Sequence, residues 1–316
     1  MRNWLAASAL LLLPVIAVAA DAPPEWAYPA APAGFQPPAD NGQPKRVPGS
    51  AKTYMEKDIG NPFGPPDWFP SEHPEMPDIV AHGKAPNVNG CAMCHLTSGS
   101  GHPESANIAG LPAGYIEEQL QEFKNGNRAS SLPGRSANMI RFAKAMTDEE
   151  IKQAAQYFSS IKQVAWNKVV ETREVPKSYV GEGNMRFASE GGAKEPIGKR
   201  IIEVPEDEER AKLRDTHSPF VAYVPMGSIM AGEALATTGG SGKTIQCSFC
   251  HGADYKGIGN VPGLAGRSPI YIFRQLNDIK KGTRHGNAVA LMQPVVAKLT
   301  DDDMIALASF MASRNP

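Results

Sequence analysis

Cys91-Ala92-Met93-Cys94-His95 is the stretch that decides the fold, because its pattern returns as Cys247-Ser248-Phe249-Cys250-His251. The two pentapeptides contain all four cysteines of the 316-residue chain. Two thiols three positions apart can each form a thioether with one haem vinyl group, and the histidine that follows can ligate the iron. We therefore predict two covalently bound haem c groups, attached at Cys91, Cys94, Cys247 and Cys250, with His95 and His251 as axial iron ligands.

A Cys-x-x-Cys pair has two other common uses, as a redox dithiol or as half of a zinc site. A redox dithiol does not require a histidine in the next position, yet histidine follows both pairs here. A shared zinc site would have to join pairs that start 156 positions apart, far beyond the usual spacing. We favour haem attachment over both alternatives.

The overall composition is that of a globular protein with room for two compact domains. The formal net charge is −1, with 28 prolines and 30 glycines. A balanced charge gives no indication of nucleic acid or an anionic membrane surface as a general partner.

Residues 1–20 have the pattern of a secretory signal peptide. Arg2 gives a positive start, an apolar run covers residues 5–18, and small residues end it at Ala19 and Ala20. The alternative is an uncleaved membrane anchor, but the run is shorter than the roughly 20 residues that span a bilayer. We expect export to the periplasm with cleavage of the signal and no stable transmembrane anchor.

Residues 21–76 form a proline-rich N-terminal segment. Dense proline disfavours long helices and central strands. Aromatic residues are nevertheless scattered through it, among them Trp26, Tyr28, Trp68 and Phe69, whereas disordered tethers are poor in aromatics. We predict an irregular arm that lies across the first haem unit, with a flexible linker as the alternative.

The first haem unit is expected at residues 77–162. Apolar positions with helical spacing predict a helix over residues 114–124, which Gly126 ends. A loop carrying Met139 should follow. Thr147 and Glu150 form a capping-box pattern that opens a last helix.

The second haem unit, at residues 226–316, repeats the first. At a constant offset of 156, the tyrosine, glutamine and arginine positions of the two units match, and after a three-residue deletion the offset falls to 153. A repeat of this length indicates a duplicated fold. The matched polar pairs are Tyr115 with Tyr271, Gln119 with Gln275, and Arg128 with Arg284.

The repeat also selects candidates for the second iron ligands. Met139 matches Met292 at offset 153, and each lies eight residues before its capping threonine. Methionine is ordinarily core filler, but a thioether sulfur is also a suitable haem-iron ligand opposite histidine. We therefore predict Met139 and Met292 as axial ligands, and Met146, which matches Leu299, as a core residue.

Residues 163–225 form an insertion between the two units. Apolar β-branched runs at residues 166–172, 200–205 and 220–224 predict short strands packed on the haem units. The charged run at residues 206–210 is expected to be a solvated turn.

Taken in order, these motifs resemble the two-domain dihaem class I cytochromes c of the c4 type. The resemblance covers residues 77–162 and 226–316 and implies a mainly α fold: two tandem class I cytochrome c domains, joined here by an irregular insertion with a few short strands. It also implies His/Met ligation and a role in shuttling electrons. The arm and the long insertion depart from that pattern.

A haem ligated on both faces has no open position for a substrate, so we expect an exported electron carrier rather than an enzyme. Its redox-partner proteins would be a periplasmic dehydrogenase, a membrane quinol-oxidising complex or a terminal oxidase. Two alternatives stay open: a dihaem peroxidase-type enzyme, which needs one open iron with an acid/base group such as His102 nearby, and the cytochrome subunit of a periplasmic dehydrogenase complex.

Overall fold

The computed structural model describes residues 22–316, so the expected signal peptide at residues 1–20 lies outside the described part of the chain. Helices dominate both haem units, and the strands are confined to the insertion. Up to the end of the first unit the helices are α1 (Glu56–Ile59), α2 (Asp78–Ala81), α3 (Ala92–His95), α4 (Ala113–Asn125), α5 (Ala137–Ala145) and α6 (Asp148–Ser160).

The first unit forms as its local patterns predict. Helix α4 buries Ile116 and Leu120 and ends at Gly126, whose φ of 80° is left-handed and therefore favours glycine. Helix α6 begins at a complete capping box, in which the Thr147 hydroxyl accepts from the Glu150 amide at 3.2 Å and the Thr147 amide donates to the Glu150 carboxylate at 2.7 Å. The predicted helices and their end signals are confirmed.

Met139 does not lie in a loop, as we expected, but in helix α5. This helix buries Phe142 and Ala143, and Met146 beyond its end is also buried. Met139 stands three and four positions before Phe142 and Ala143, and Met146 four and three positions after them, so these residues share one apolar face. That face packs on the same core as α4 and α6, which stabilises a helix that the sequence pattern alone did not indicate.

The second unit contains α8 (Ser228–Thr238), α9 (Ser248–His251), α10 (Pro269–Lys280), α11 (Gln293–Val296) and α12 (Asp301–Ala312), with a 3₁₀ turn at Val289–Met292. Helix α8, which we did not predict, crosses α12 so closely that a Cβ at Gly232 would overlap the backbone of Ala306. Only glycine permits this approach of two helix backbones. Leu299, matched to Met146 in the repeat, is fully buried as expected.

The insertion forms a small three-stranded sheet and two antiparallel strand pairs, β2 with β5 and, between them in the chain, β3 with β4. Its strands are β1 (Asn167–Thr172), β2 (Glu174–Pro176), β3 (Ser178–Val180), β4 (Arg186–Ala188), β5 (Lys194–Pro196), β6 (Ile202–Pro205) and β7 (Phe220–Pro225). The sheet order is β1-β7-β6, with β1 parallel and β6 antiparallel to β7. The three predicted strands are confirmed.

The charged run in the insertion is not a plain turn. Residues from Glu208 onward form helix α7 (Glu208–Lys212), capped by the Asp207 side chain, which accepts from the Arg210 amide at 3.0 Å. Lys212 pairs with Glu208 one turn earlier, at 2.7 Å. The N-cap and this ion pair explain why the run is helical rather than extended.

The proline-rich arm is irregular, as expected, but its first part lies on the second unit rather than the first. Tyr28 is buried and donates to Asp278 at 2.7 Å, while Trp26 packs on Phe273 with ring centroids 4.6 Å apart. Farther along, Trp68 donates to the carbonyl of Leu213 in the insertion at 2.7 Å. The arm also contacts the first unit, where the Gly90 amide donates to the Pro62 carbonyl at 2.8 Å, so it connects both haem units and the insertion.

Within residues 22–316, every helix is too short or too polar to cross a bilayer.

Candidate functional site

Each Cys-x-x-Cys-His motif forms one tight helical turn. In the first unit the His95 amide donates to the Cys91 carbonyl at 3.0 Å, and in the second the His251 amide donates to the Cys247 carbonyl at 2.9 Å. The turn places both cysteine side chains and the histidine ring of a motif close together. This local geometry is what attachment of one planar group by two thioethers and one imidazole requires.

The two histidine rings are oriented by equivalent hydrogen bonds. Nδ1–H of His95 donates to the carbonyl of Ala106 at 2.8 Å, and Nδ1–H of His251 donates to the carbonyl of Pro262 at 2.8 Å. Each acceptor lies eleven residues after its histidine. With Nδ1 engaged in this way, Nε2 is the nitrogen that can bind a metal, and the backbone bond sets the ring orientation and increases its basicity.

Both imidazoles are also kept neutral. Burial is the main cause that lowers the pKa of His95 and of His251, and the carbonyl hydrogen bond opposes it only in part. A neutral imidazole carries the lone pair that iron ligation needs. The environment of each ring therefore fits an axial ligand rather than an acid catalyst.

No disulfide joins any of the four cysteines. Burial raises the pKa of Cys91 to about 12 and that of Cys247 to about 11, the opposite of what a reactive redox dithiol shows. Among residues 22–316, no three His, Cys, Asp or Glu side chains converge as a metal site, so the two motifs do not share a zinc ion. Neither alternative to haem attachment is supported by this arrangement.

Met139 and Met292 each border the core of their own unit. Met139 is half-buried and packs on the same apolar cluster as Cys91, and Met292 packs with Cys247 on the cluster of the second unit. Met292 lies at the end of the 3₁₀ turn, immediately before helix α11, whose second residue is Pro294. Ligation of iron by either sulfur stays a prediction, but both side chains lie in the correct unit and remain partly accessible.

The matched polar residues of the repeat meet where the two units are in contact. There each arginine binds the tyrosine of the other unit. Arg128 donates to Gln119 of its own unit at 2.9 Å and to the phenol oxygen of Tyr271 in the other unit at 2.8 Å. Arg284 does the reverse. It donates to Gln275 at 2.9 Å and to Tyr115 at 3.1 Å. The backbones of Arg128 and Arg284 pair in an isolated antiparallel β-bridge.

The two arginines of this cross-unit cluster are 8% and 7% exposed, yet neither forms an ion pair with an Asp or Glu of the described residues 22–316. Nε of Arg284 has no hydrogen-bond partner there. Buried guanidinium groups without counter-charges are costly, so the site is complete only with added anions. The propionate carboxylates of haem groups are anions of this kind, and Arg128 and Arg284 fit as the residues that hold them. The sequence analysis identified these two arginines only as matching positions of the repeat. That match of two charged residues was the one sign in the sequence that they could have a function.

His102, the candidate helper of a peroxidase, lies in the loop that also carries Ala106. Its ring nitrogen accepts from the Glu104 amide at 3.3 Å, and burial beside Arg214 lowers its pKa to about 3. The side chain therefore lies in the surroundings of His95, which also lowers its pKa. His73 and His217 contact carboxylates through Nε2. His82 and His285 are exposed and lie outside the two attachment motifs.

Comparison with known proteins agrees with this geometry. The family model described as cytochrome c matches residues 80–162 and again residues 229–315. The chain is 28% identical over 234 residues to a thiosulfate dehydrogenase electron acceptor from Thiomonas intermedia, covering 72% of this chain and 80% of that protein. It is 36% identical over 93 residues to cytochrome c4 of Azotobacter vinelandii, covering 27% of this chain and 43% of that protein.

Among solved structures, cytochrome c4 of Acidithiobacillus ferrooxidans is similar at 22% identity. The match covers 71% of this chain and 98% of the other, with a TM-score of 0.47.

Proposed function

This chain belongs to the cytochrome c family, with two cytochrome c units, covalently bound haem c as cofactor and electron transfer as its function, and we propose that it is a periplasmic dihaem carrier with His/Met ligation at both irons. Cys91, Cys94 and His95 would hold the first haem, and Cys247, Cys250 and His251 the second. Met139 and Met292 would supply the opposite ligands. The units would extend over residues 77–162 and 226–316, with the arm at 21–76 and the insertion at 163–225.

The observation that carries the proposal is the matched state of His95 and His251. Burial lowers the pKa of both rings, and a backbone carbonyl holds each at Nδ1, so each presents Nε2 in a fixed direction. A haem bound there changes oxidation state by one electron, and methionine opposite histidine favours the ferrous form. The chain contributes rigid ligands, exclusion of water and buried positive charge at Arg128 and Arg284.

The partner is proposed from the relatives. One of them is named an electron acceptor of thiosulfate dehydrogenase, which supports a carrier that receives electrons from an exported dehydrogenase, either as a stable subunit or by transient docking. Residues 1–20 have the signal-peptide pattern that such a location requires.

The peroxidase alternative loses its specific support. His102 lies in the loop whose Ala106 carbonyl orients His95, and its ring accepts from the Glu104 amide, so it is part of the support of the His95 ligand. The experiment is spectroscopy of the oxidised holoprotein. A methionine–iron charge-transfer band accounting for both haems supports the carrier, whereas a high-spin haem that reacts with peroxide would support the enzyme.

A further inference from the structure

One arginine of the second unit reaches into the first unit where the two units meet. Arg267 stands two residues before helix α10 and is 5% exposed. Its Nη1 donates to the backbone carbonyl of Asn107 at 2.7 Å and to the side-chain oxygen of the same residue at 3.1 Å. Its Nη2 donates to the carbonyl of Ala109 at 3.1 Å, and its Nε donates to the carbonyl of Gly263 in its own unit at 2.8 Å. The guanidinium group therefore joins a loop of one unit to a loop of the other.

The two joined loops are those that orient the axial histidines. Asn107 directly follows Ala106, whose carbonyl accepts from the first of these histidines at 2.8 Å. Gly263 directly follows Pro262, whose carbonyl accepts from the second at 2.8 Å. Asn107 and Gly263 are also matched positions at the repeat offset of 156. Arg267 thus holds equivalent points of the two units, each one residue away from a carbonyl that fixes an axial ligand.

These contacts form a continuous connection between His95 and His251. It consists of two short backbone segments, the Arg267 guanidinium between them, and four hydrogen bonds of 2.8, 2.7, 2.8 and 2.8 Å. The first of the two loops is itself firmly held. The Asn107 side-chain oxygen also accepts from the amide of Ala109 at 3.2 Å, and Asn107 is 4% exposed. A displacement of the guanidinium group would therefore be felt in both loops.

The duplication supplies this arginine only once. At the offset of 156 the first unit has Leu111, which is buried in the apolar cluster of that unit. Burial lowers the pKa of Arg267 to about 10, so the group keeps its charge near neutral pH. Every hydrogen bond that it donates within residues 22–316 goes to an uncharged oxygen, which makes its burial costly. An apolar side chain would fill the position without that cost, whereas only the planar fork of an arginine offers donors to two loops at once.

We propose that Arg267 is a positioning residue shared by the two haem sites, which holds both histidine-orienting carbonyls in place and so links the ligand environment of one iron to that of the other. The proposal rests on the proposed carrier function, because it requires His95 and His251 as axial ligands. The hydrogen bond at Nδ1 sets the orientation and the basicity of a ligating imidazole. When the carbonyls are held less firmly, both ligands change together.

The test follows the Nδ1 protons of the two axial histidines by NMR of the reduced holoprotein. Exchange of such a proton with water reports how often its hydrogen bond to the carbonyl opens. Arg267→Met removes the fork, and Arg267→Lys keeps the charge but offers a single point donor. Asn107→Ala removes one acceptor in the first loop only. Arg173→Met is the matched control, because Arg173 is exposed on the insertion and the same charge is lost.

We expect Arg267→Met to increase the exchange rate about tenfold at both histidines, which corresponds to about 1.4 kcal/mol for each loop. Arg267→Lys should increase both rates at least about threefold, since one ammonium group does not span two loops. Asn107→Ala should increase the rate about threefold at His95 and leave His251 within about twofold of wild type. Arg173→Met should leave both within about twofold. The rates are compared with those of buried backbone amides in the same unit, so that a general loss of stability is recognised.

The reduction potentials provide a second measurement, which a purely structural residue would not change. Both potentials should shift in the same direction in Arg267→Met, because the lost charge and the loosened carbonyls act alike on two matched ligands. In Asn107→Ala only the potential of the first haem should shift. If Arg267→Met fails to bind haem, Arg267→Lys and Asn107→Ala decide the question.

Three results would overturn the proposal. The first is wild-type exchange at both histidines in Arg267→Met, and the second is a change at only one of them. The third is full rescue by Arg267→Lys, because a charge alone would then be sufficient. A reduced wild type without the two histidine resonances of low-spin haem would refute the carrier function itself. Normal resonances whose exchange is the same in every variant would refute only the role of Arg267.

Discussion

Arg128 of the first unit donates through Nη2 to the phenol oxygen of Tyr271 in the second unit at 2.8 Å, and Arg284 mirrors it with Tyr115 at 3.1 Å. The duplication has therefore produced a pair of exchanged hydrogen bonds, in which each unit completes the polar surroundings of the other. Because the guanidinium groups are buried, these bonds also hold the relative placement of the units.

Replacing Tyr271 by phenylalanine removes the phenol oxygen, which is one of the acceptors of Arg128, and keeps the aromatic ring. We expect a loss of about 1–3 kcal/mol in the free energy of unfolding of the holoprotein, because a buried donor loses one of its partners. Urea unfolding followed by far-UV circular dichroism measures it. Tyr179→Phe is the control, since that hydroxyl is on an exposed residue and binds Glu208 at 3.0 Å. Equal losses in the two variants would mean that the exchanged bond contributes nothing specific.

Replacing Met139 or Met292 by alanine should remove the methionine–iron charge-transfer band one haem at a time. Each single variant is expected to lose about half of the band, and the double variant all of it, since each sulfur would ligate a different iron. Met146→Leu is the control, because Met146 is a buried core residue next to the same helix. Retention of the full band in Met139→Ala would show that another group ligates the first iron.

Arg214 is expected to raise the reduction potential of the first haem. Its guanidinium lies beside Cys94 and is half-buried, and a nearby positive charge favours the reduced state of a haem, which carries one positive charge less. We expect Arg214→Met to lower one of the two potentials by roughly 1 kcal/mol, or about 40 mV for a one-electron couple, and to leave the other unchanged.

A spectroelectrochemical titration resolves the two haems and measures the shift. Arg210→Met is the control, because Arg210 lies on the same insertion but pairs with Asp215 at 2.7 Å. A shift of both potentials by the same amount, or of neither, would contradict a local effect at the first haem.

Glu203 on strand β6 should make the stability of the protein depend on pH. Burial raises the pKa of this carboxyl to about 7, although Ser268 and the Ile270 amide donate to it and oppose the rise. A carboxyl with a raised pKa in the folded state contributes stability that is fully present below the unfolded pKa near 4.5 and is lost as the pH rises through 7.

We therefore expect wild type to lose up to about 3 kcal/mol of unfolding free energy between pH 4.5 and pH 8 relative to Glu203→Gln, which cannot ionise. Unfolding curves of both proteins across this range measure the difference. Glu206→Gln, at an exposed position of the same segment, should follow wild type. Parallel curves for wild type and Glu203→Gln would show that Glu203 does not titrate in this range.

Local patterns were sufficient for much of the fold. Helices α4 and α6 follow from apolar spacing and end signals that involve residues at most four positions apart, and these are the interactions that determine a helix on its own. Helix α5, which carries Met139, escaped prediction because its stability comes from packing on α4, which the order of residues does not state. Helix α7 escaped because its charges looked merely solvated, although an N-cap and an ion pair one turn apart stabilise it.

The amino-acid order alone established the two attachment motifs, the duplication and the paired methionines, since covalent attachment and a repeat are properties of spacing along the chain. Tertiary structure alone decided that Arg128 and Arg284 each bind the tyrosine of the other unit and that the start of the arm lies on the second unit. It also decided that the insertion covers Met93 and leaves Phe249 exposed. The partners in these contacts stand about 120 to 250 positions apart in the sequence. Contacts of that range depend on how whole units fit together, and no local periodicity encodes that fit.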